Sequence, residues 1–287
     1  MSSLLDELKY NFQKQDNGLV KIIMINVAVF LILSITSVIL HLSQSTVYHD
    51  YILPNFAIPA DLSTFIYKPW TIFTYFFSHE EILHILFNML GLYWFGRIIH
   101  EFIGNRRLIN LYILGGLAGG ILYLIFYNTI PFFRQQASVS IMLGASASVF
   151  AIAAGAATLA PDYRFNLLFI GPVRIIFIVG FYIIVSFIGM KQGNAGGNIA
   201  HLGGAFLGFV YIRLLQRGTD LGKPINIIAG WIKNIGKPKM KVYSNKNKDL
   251  SHPSQSEIDA ILDKISRSGY ESLSKEEKQK LFKASQK

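Results

Sequence analysis

Six long apolar runs, separated mostly by short polar links, dominate the polarity pattern of this chain. They cover positions 20–42, 82–100, 108–127, 139–160, 165–190 and 196–215. Each is close to the roughly 20 residues that an α-helix needs to cross the hydrocarbon core of a bilayer. A lipid-facing segment has to satisfy its own backbone hydrogen bonds, so each run is predicted as a helix. The pattern therefore predicts an all-α, polytopic membrane bundle with six transmembrane helices over 20–215. A polar segment, 1–19, precedes the first run and no small-residue cleavage site follows it, so that run is expected as a retained span rather than a signal peptide. The link 43–81 is far longer than the others and contains IYKPWTIFTYFF (66–77). That stretch is aromatic and too short to span, and a half-inserted loop on the outer face is expected; a solvated loop with an aromatic interface belt is the alternative.

Composition narrows the class. Hydrophobic residues make up 52% of the chain and charged residues 15%, which excludes an ordinary soluble domain. There is no cysteine, so disulfides, thiolate catalysis and cysteine metal sites are excluded. The formal charge of +10 sits largely in the C-terminal tail beside an apolar body, a distribution that suits an anionic lipid surface better than nucleic acid. Lys and Arg favour the cytoplasmic side. Lys9, Lys14, Lys21, Arg97, Arg106, Arg107 and Arg164 fall on one side with the basic tail, against Lys68, Arg134 and Lys191 on the other. Both termini are thus expected in the cytoplasm, in a multi-pass protein of the cell membrane.

Against this apolar background a few polar residues stand out. His84 and Asn88 lie near the outer start of the second run, Ser146 about two turns into the fourth within MLGASASVF (142–150), and His201 one to two turns into the sixth. At 1.5 Å per residue all four sit on the order of 10 Å or less below one face. Polar groups in lipid are costly and face a bundle interior or a wet cavity. Gly196, Ala200, Gly204 and Gly208 recur every four residues, as do Ala147, Ala151 and Gly155. Such smooth faces let helix backbones approach closely, which predicts that His201 can reach Ser146. Histidine, with a pKa near neutrality, is suited to take the proton of a serine nucleophile. No Asp or Glu lies in the fourth or sixth run, so a dyad is expected rather than a triad. His84 and Asn88, four apart, share a helix face and with the Ser146 backbone N–H could hold an oxyanion. Taken singly each residue also has a structural reading; Ser148 in particular is expected to bond the carbonyl one turn back. Their shared depth on three spans favours the chemical one.

These residues are where the sequence resembles the rhomboid intramembrane serine proteases. HEEILHILFN matches the family's spacing through His79, His84 and Asn88, GASA carries the serine motif from Gly144 with Ser146, and GGNIAHLGGAFLG surrounds His201. Trp70 and Glu101 stand where the family's first loop and second-span exit carry such residues. The resemblance implies a Ser146–His201 dyad that cleaves transmembrane segments near their outer end, with His84, Asn88, Gly144 and His79 on the oxyanion and substrate side. It implies no cofactor and no metal. Ala147 replaces the usual glycine after the serine, and Thr71 follows Trp70 where many members have arginine.

Beyond 215 the chain becomes polar. In 216–253, PINIIAGWIKNIGK (224–237) puts Ile228, Trp231, Ile232 and Ile235 on one side of a possible interfacial helix, and 233–248 carries six lysines and no acid. In 254–287, Ser254 with Glu257 and Ser274 with Glu277 read as capping boxes of a small cytoplasmic helical hairpin. Its stripe is Ile258, Ile261, Leu262 and Ile265, with Leu281 and Phe282 opposite. The expected partners are membrane-protein substrates and the bilayer, with anionic lipid at the basic tail and no nucleic acid. Three other functions compete. A catalytically inactive relative that binds transmembrane helices would share the sequence features. A metalloprotease is disfavoured because His79 and His84 are five apart, not four. A transporter is disfavoured because the fourth and sixth runs lack midplane charges.

Overall fold

The computed structural model of the chain describes residues 17–191, 193–234 and 254–285. The chain divides into two compact units, 1–233 and 234–287. The first contains helices α1 (Gly18–Leu42), α2 (Ile82–Ile103), α3 (Asn105–Thr129), α4 (Ser146–Leu159), α5 (Ile175–Gly189), α6 (Ala195–Gln216) and α7 (Lys223–Asn234). The second contains α8 (Gln255–Ser268) and α9 (Lys275–Ala284). Among the described residues, α1, α2, α3 and α6 are long and apolar enough to cross a membrane, while α4 and α5 are shorter apolar helices.

Helices α3, α4 and α6 form the centre, and glycine lets them meet backbone to backbone. A methyl at Gly204 would overlap the Ala147 carbonyl oxygen, and one at Gly208 would overlap that of Ala151. The two small-residue stripes read from the sequence therefore do pack on each other. Lipid tails are as apolar as leucine, so this close van der Waals contact, rather than exclusion of water, holds α4 against α6. The extra methyl of Ala147 is accommodated because Gly119 of α3 faces it.

The long first link is an ordered cover. It contains helical turns at Leu62–Tyr67 and Thr71–Thr74, and the strand β1 (Ile58–Pro59) pairs antiparallel with β2 (Ile141–Met142). Tyr75 and Phe76 are buried. The Tyr75 hydroxyl donates to the Gly116 carbonyl. The Tyr112 hydroxyl donates to the Phe76 carbonyl at 2.6 Å and receives the Asn26 amide at 2.9 Å. These bonds satisfy polar groups that would otherwise be stranded in an apolar setting, and they tie α1, the link and α3 together. Trp70 Nε1 donates to the Asn55 carbonyl at 3.1 Å, and buried Thr71 donates to the Lys68 carbonyl at 2.6 Å, so the link is anchored without an arginine at 71.

Three expectations need correction. The fourth helix begins at Ser146 rather than near 139, because 140–144 is drawn into pairing with the first link: Ala60 N–H donates to Ser140 O at 2.9 Å, and Gly144 N–H to Tyr75 O at 2.9 Å. Ser146 is thus the first residue of its helix, not two turns inside it. The fifth helix begins at Ile175 rather than 165. The residues before it form a hairpin of β3 (Arg164–Leu167) and β4 (Gly171–Arg174), whose turn holds Phe169 and Gly171 at positive φ and whose return strand contains Pro172. Proline inside a helix removes a hydrogen bond and clashes with the preceding turn, so this stretch does not continue as helix. Ser148, finally, does not bond to the carbonyl one turn back. Its Oγ is buried without a partner among the described residues.

In the second unit both capping boxes form, at Ser254–Glu257 and Ser274–Glu277. Lys264 pairs with Glu277 at 2.9 Å and Lys280 with Glu257 at 2.7 Å, over buried Ile261 and Leu273. Leu262 and Phe282 remain exposed. The lysine-rich segment beyond Asn234 lies outside the described residues.

Candidate active site

Sequence pattern puts Ser146 at a special place. It is the first residue of α4, after Gly144 with φ 129°. The first N–H groups of a helix have no intrahelical acceptor and point, with the positive end of the helix dipole, toward whatever lies in front of them. The Ser146 N–H is one of these. Gly144 is required twice over: its φ disfavours any side chain, and a Cβ there would lie 2.7 Å from His84 Cε1.

Ser146, His201, His84 and Asn88 all line one cavity of about 850 Å³, whose walls are otherwise mainly apolar. Its lining runs along α2 from Glu81 to Phe95, along α4, and along α5 at Ile178, Val179 and Tyr182, so the cavity is a groove between α2 and α5 extending toward the β3–β4 hairpin. His201 comes from the second turn of α6, the helix whose Gly204 touches Ala147. One face of its ring stacks on Phe150 of α4, with centroids 4.1 Å apart and 8° between the planes. Its Nδ1 lies 3.1 Å from Ser186 Oγ on α5. Ser186 is 3% exposed. Among the described residues Ser146 Oγ forms no hydrogen bond, so the Ser146–His201 pair is not closed in this structure.

His79 takes a different place from the other four. It is fully buried and stands behind the cavity wall. Asn88 Nδ2 donates to His79 Nε2 at 3.1 Å, and Ala145 N–H donates to the same nitrogen at 3.2 Å. Burial, and secondly the neighbouring His84, push its pKa down to about 3, which keeps Nε2 free as an acceptor. His79 therefore fixes the amide of Asn88 and the backbone just before Ser146. Asn88 Nδ2 has a second N–H that can face the cavity. The His84 ring packs edge-on against His79 at 5.1 Å.

Two contributors escaped sequence reasoning. Phe150 was only one more apolar residue of its run. Ser186 had a faint signal: it is the only small polar side chain in the helix IIFIVGFYIIVSFIG. Among the described residues no group of three or more His, Asp or Glu side chains is arranged to hold a metal ion.

Comparison with known proteins adds the family. The Rhomboid domain profile matches residues 67–218, and a family of unknown function (DUF6576) matches 244–287. The chain is 34% identical over 157 residues to the RHOMBOID-like protein 12, mitochondrial, of Arabidopsis thaliana, covering 52% of this chain and 47% of that protein. It is 32% identical over 153 residues to the Rhomboid protein 1, mitochondrial, of Saccharomyces cerevisiae, covering 50% and 41%. It is 27% identical over 89 residues to the Rhomboid protease GlpG of Salmonella choleraesuis, covering 31% and 32%. The chain thus matches about half or less of the length of these relatives.

Proposed function

The chain belongs to the rhomboid family, and from that premise we propose that it is an intramembrane serine endopeptidase, built on six membrane-crossing helices, that cleaves transmembrane segments of membrane proteins near their outer end. The observation that carries this reading is the convergence of Ser146, His201, His84 and Asn88 on one groove between α2 and α5. Ser146 Oγ is the nucleophile. His201 accepts its proton at Nε2, since Nδ1 is engaged by Ser186. In that tautomer Nδ1–H donates to Ser186 Oγ, which together with the Phe150 stack replaces the orienting carboxylate of a triad. As Oγ adds to the scissile carbonyl, the developing oxyanion is met by the Ser146 N–H, Asn88 Nδ2 and His84, donors already in position before charge develops. The proton then passes from His201 to the leaving amine, and water enters the same cycle to release the acyl group.

An apolar groove along α2 and α5 suits an apolar substrate segment, and the polar groups near its end at Ser146 suit a peptide bond freed from helical hydrogen bonding. By the distribution of Lys and Arg, the termini and the lysine-rich stretch 233–248 face the cytoplasm, where that stretch meets anionic lipid. The cell membrane is the proposed location, although two of the relatives carry mitochondrial names. Initial rates on a single-span substrate in proteoliposomes test the reading: Ser146→Ala is expected to abolish cleavage with the protein still folded, and undiminished cleavage rejects it. The open Ser146–His201 pair favours one second reading, an inactive family member that binds transmembrane helices. A fluorophosphonate probe attached to Ser146 rules that out.

A further inference from the structure

At the far end of the bundle from the groove, a second cavity of about 820 Å³ lies between the α2–α3 turn and the start of α7. Nineteen residues separate His84 from Ile103 along α2, about 28 Å of helix and close to the thickness of a bilayer's hydrocarbon core. The second cavity therefore sits at the opposite leaflet. Arg106, Arg107, Lys223 and Asn226 line it, with Asp220 as the one carboxylate.

That carboxylate is already committed. It accepts from the Tyr211 hydroxyl at 3.1 Å and from Gly222 N–H at 2.8 Å, and it pairs with Arg107 at 3.6 Å. The side chains of Arg106 and Lys223 form no ion pair or hydrogen bond among the described residues, although the Lys223 backbone N–H donates to the Asp220 carbonyl at 3.3 Å. Both occupy the first turns of helices, α3 and α7, that carry no acid there. Cations at the positive ends of helix dipoles are unfavourable unless an anion joins them. The cavity is nevertheless firmly built: Gly222 packs directly on Asn110, whose amide donates to Asn226 Oδ1 at 3.4 Å. Helix α7 then carries Ile227, Ile228 and Trp231 exposed at 72%, 57% and 69%. It follows the membrane helix α6 after only the link 217–222, so these side chains stand at the level where a bilayer surface begins.

We propose that this cavity holds the phosphate-bearing headgroup of an anionic phospholipid, received by Arg106, Arg107, Lys223 and the Asn226 amide, while α7 lies on that leaflet through Ile227, Ile228 and Trp231. The charge fits one phosphate: three cations face one carboxylate that is already engaged. The apolar face beside it fits acyl chains, which a free phosphate would leave uncovered. The site is argued without any residue of the lysine-rich stretch and does not depend on the protease reading.

The chain has no cysteine, so Ile228→Cys gives a single position for a fluorophore that reports polarity. The full-length labelled protein in neutral detergent is titrated with phosphatidylglycerol, phosphatidylcholine or inorganic phosphate. A saturable shift to an apolar environment with phosphatidylglycerol alone is expected. Removing two cations with Arg106→Gln and Lys223→Gln should weaken it roughly thirty-fold, at about 1 kcal/mol per cation near an anionic lipid. An equal response to phosphatidylcholine, or an unchanged affinity in the double variant, overturns the headgroup site. Saturation by inorganic phosphate at the same affinity overturns the assignment to lipid. Should the double variant fail to fold, Lys223→Gln alone, at an exposed side chain, decides by the same readout with about a fivefold loss expected.

Discussion

Ser186 Oγ on α5 stands 3.1 Å from Nδ1 of His201 on α6. It is a buried hydroxyl on a helix with little else polar, and it is placed to hold the imidazole in the tautomer that leaves Nε2 unprotonated. A neutral hydrogen bond contributes about 1 kcal/mol. Ser186→Ala is accordingly expected to lower the cleavage rate about fivefold to tenfold, with substrate KM little changed and with Ser186→Thr restoring part of the loss. Initial rates as a function of pH check it: a side chain that only packs would leave the pH profile in place, whereas loss of the Nδ1 partner shifts it.

Gly144 couples the nucleophile's backbone to His84. Its φ of 129° and the 2.7 Å approach of His84 Cε1 to a built Cβ leave no space for a side chain. Gly144→Ala is expected to reduce both cleavage and fluorophosphonate labelling of Ser146 by at least tenfold, a loss of about 1.4 kcal/mol or more in transition-state stabilisation. Comparison of labelling rates for the variant and the parent checks it.

The contact of α4 with α6 leaves no room for larger side chains. Gly204→Val and Gly208→Val should each destabilise the bundle by about 1–3 kcal/mol, the usual cost of overpacking, because a methyl already overlaps the Ala147 or Ala151 carbonyl. Thermal unfolding in detergent reads this. The valine at 204 should also abolish cleavage, since it lies one turn from His201.

The hairpin of α8 and α9 should lose stability in acid. The Ser274 backbone N–H, then Lys264, hold the Glu277 carboxyl well below its ordinary value, at about 2. A carboxylate with a depressed folded-state pKa stabilises the fold above its unfolded value, about 4.5, and that contribution disappears as pH falls from there toward 2. The methyl resonance of buried Ile261 in the full-length protein is expected to move over that window, and Glu277→Gln should remove the movement.

Chelators test the metal reading directly. Cleavage is expected to be unchanged by EDTA, and its loss, with recovery on adding zinc, would transfer the chemistry from Ser146 to a metal.

Much of this molecule is legible along the chain because the cost of polar groups in lipid is local. Each apolar run of about 20 residues holds a helix, although the fourth and fifth open with non-helical stretches, and Ser146, His84, Asn88 and His201 stood out within them as residues that needed a shared, sheltered place. The glycine stripes around Gly204 and Ala147 likewise showed which faces would touch. Tertiary structure decided what depends on residues distant in sequence. Ser146 opens its helix because the first link draws 140–144 into pairing. His79 became a support for Asn88 and Ala145, 66 residues away from the latter, and His201 gained Ser186 and Phe150 as its orienting partners. Periodicity records what a residue prefers to face; it does not record which other segment arrives to face it, and hydrogen bonds between segments are fixed only when the helices have packed.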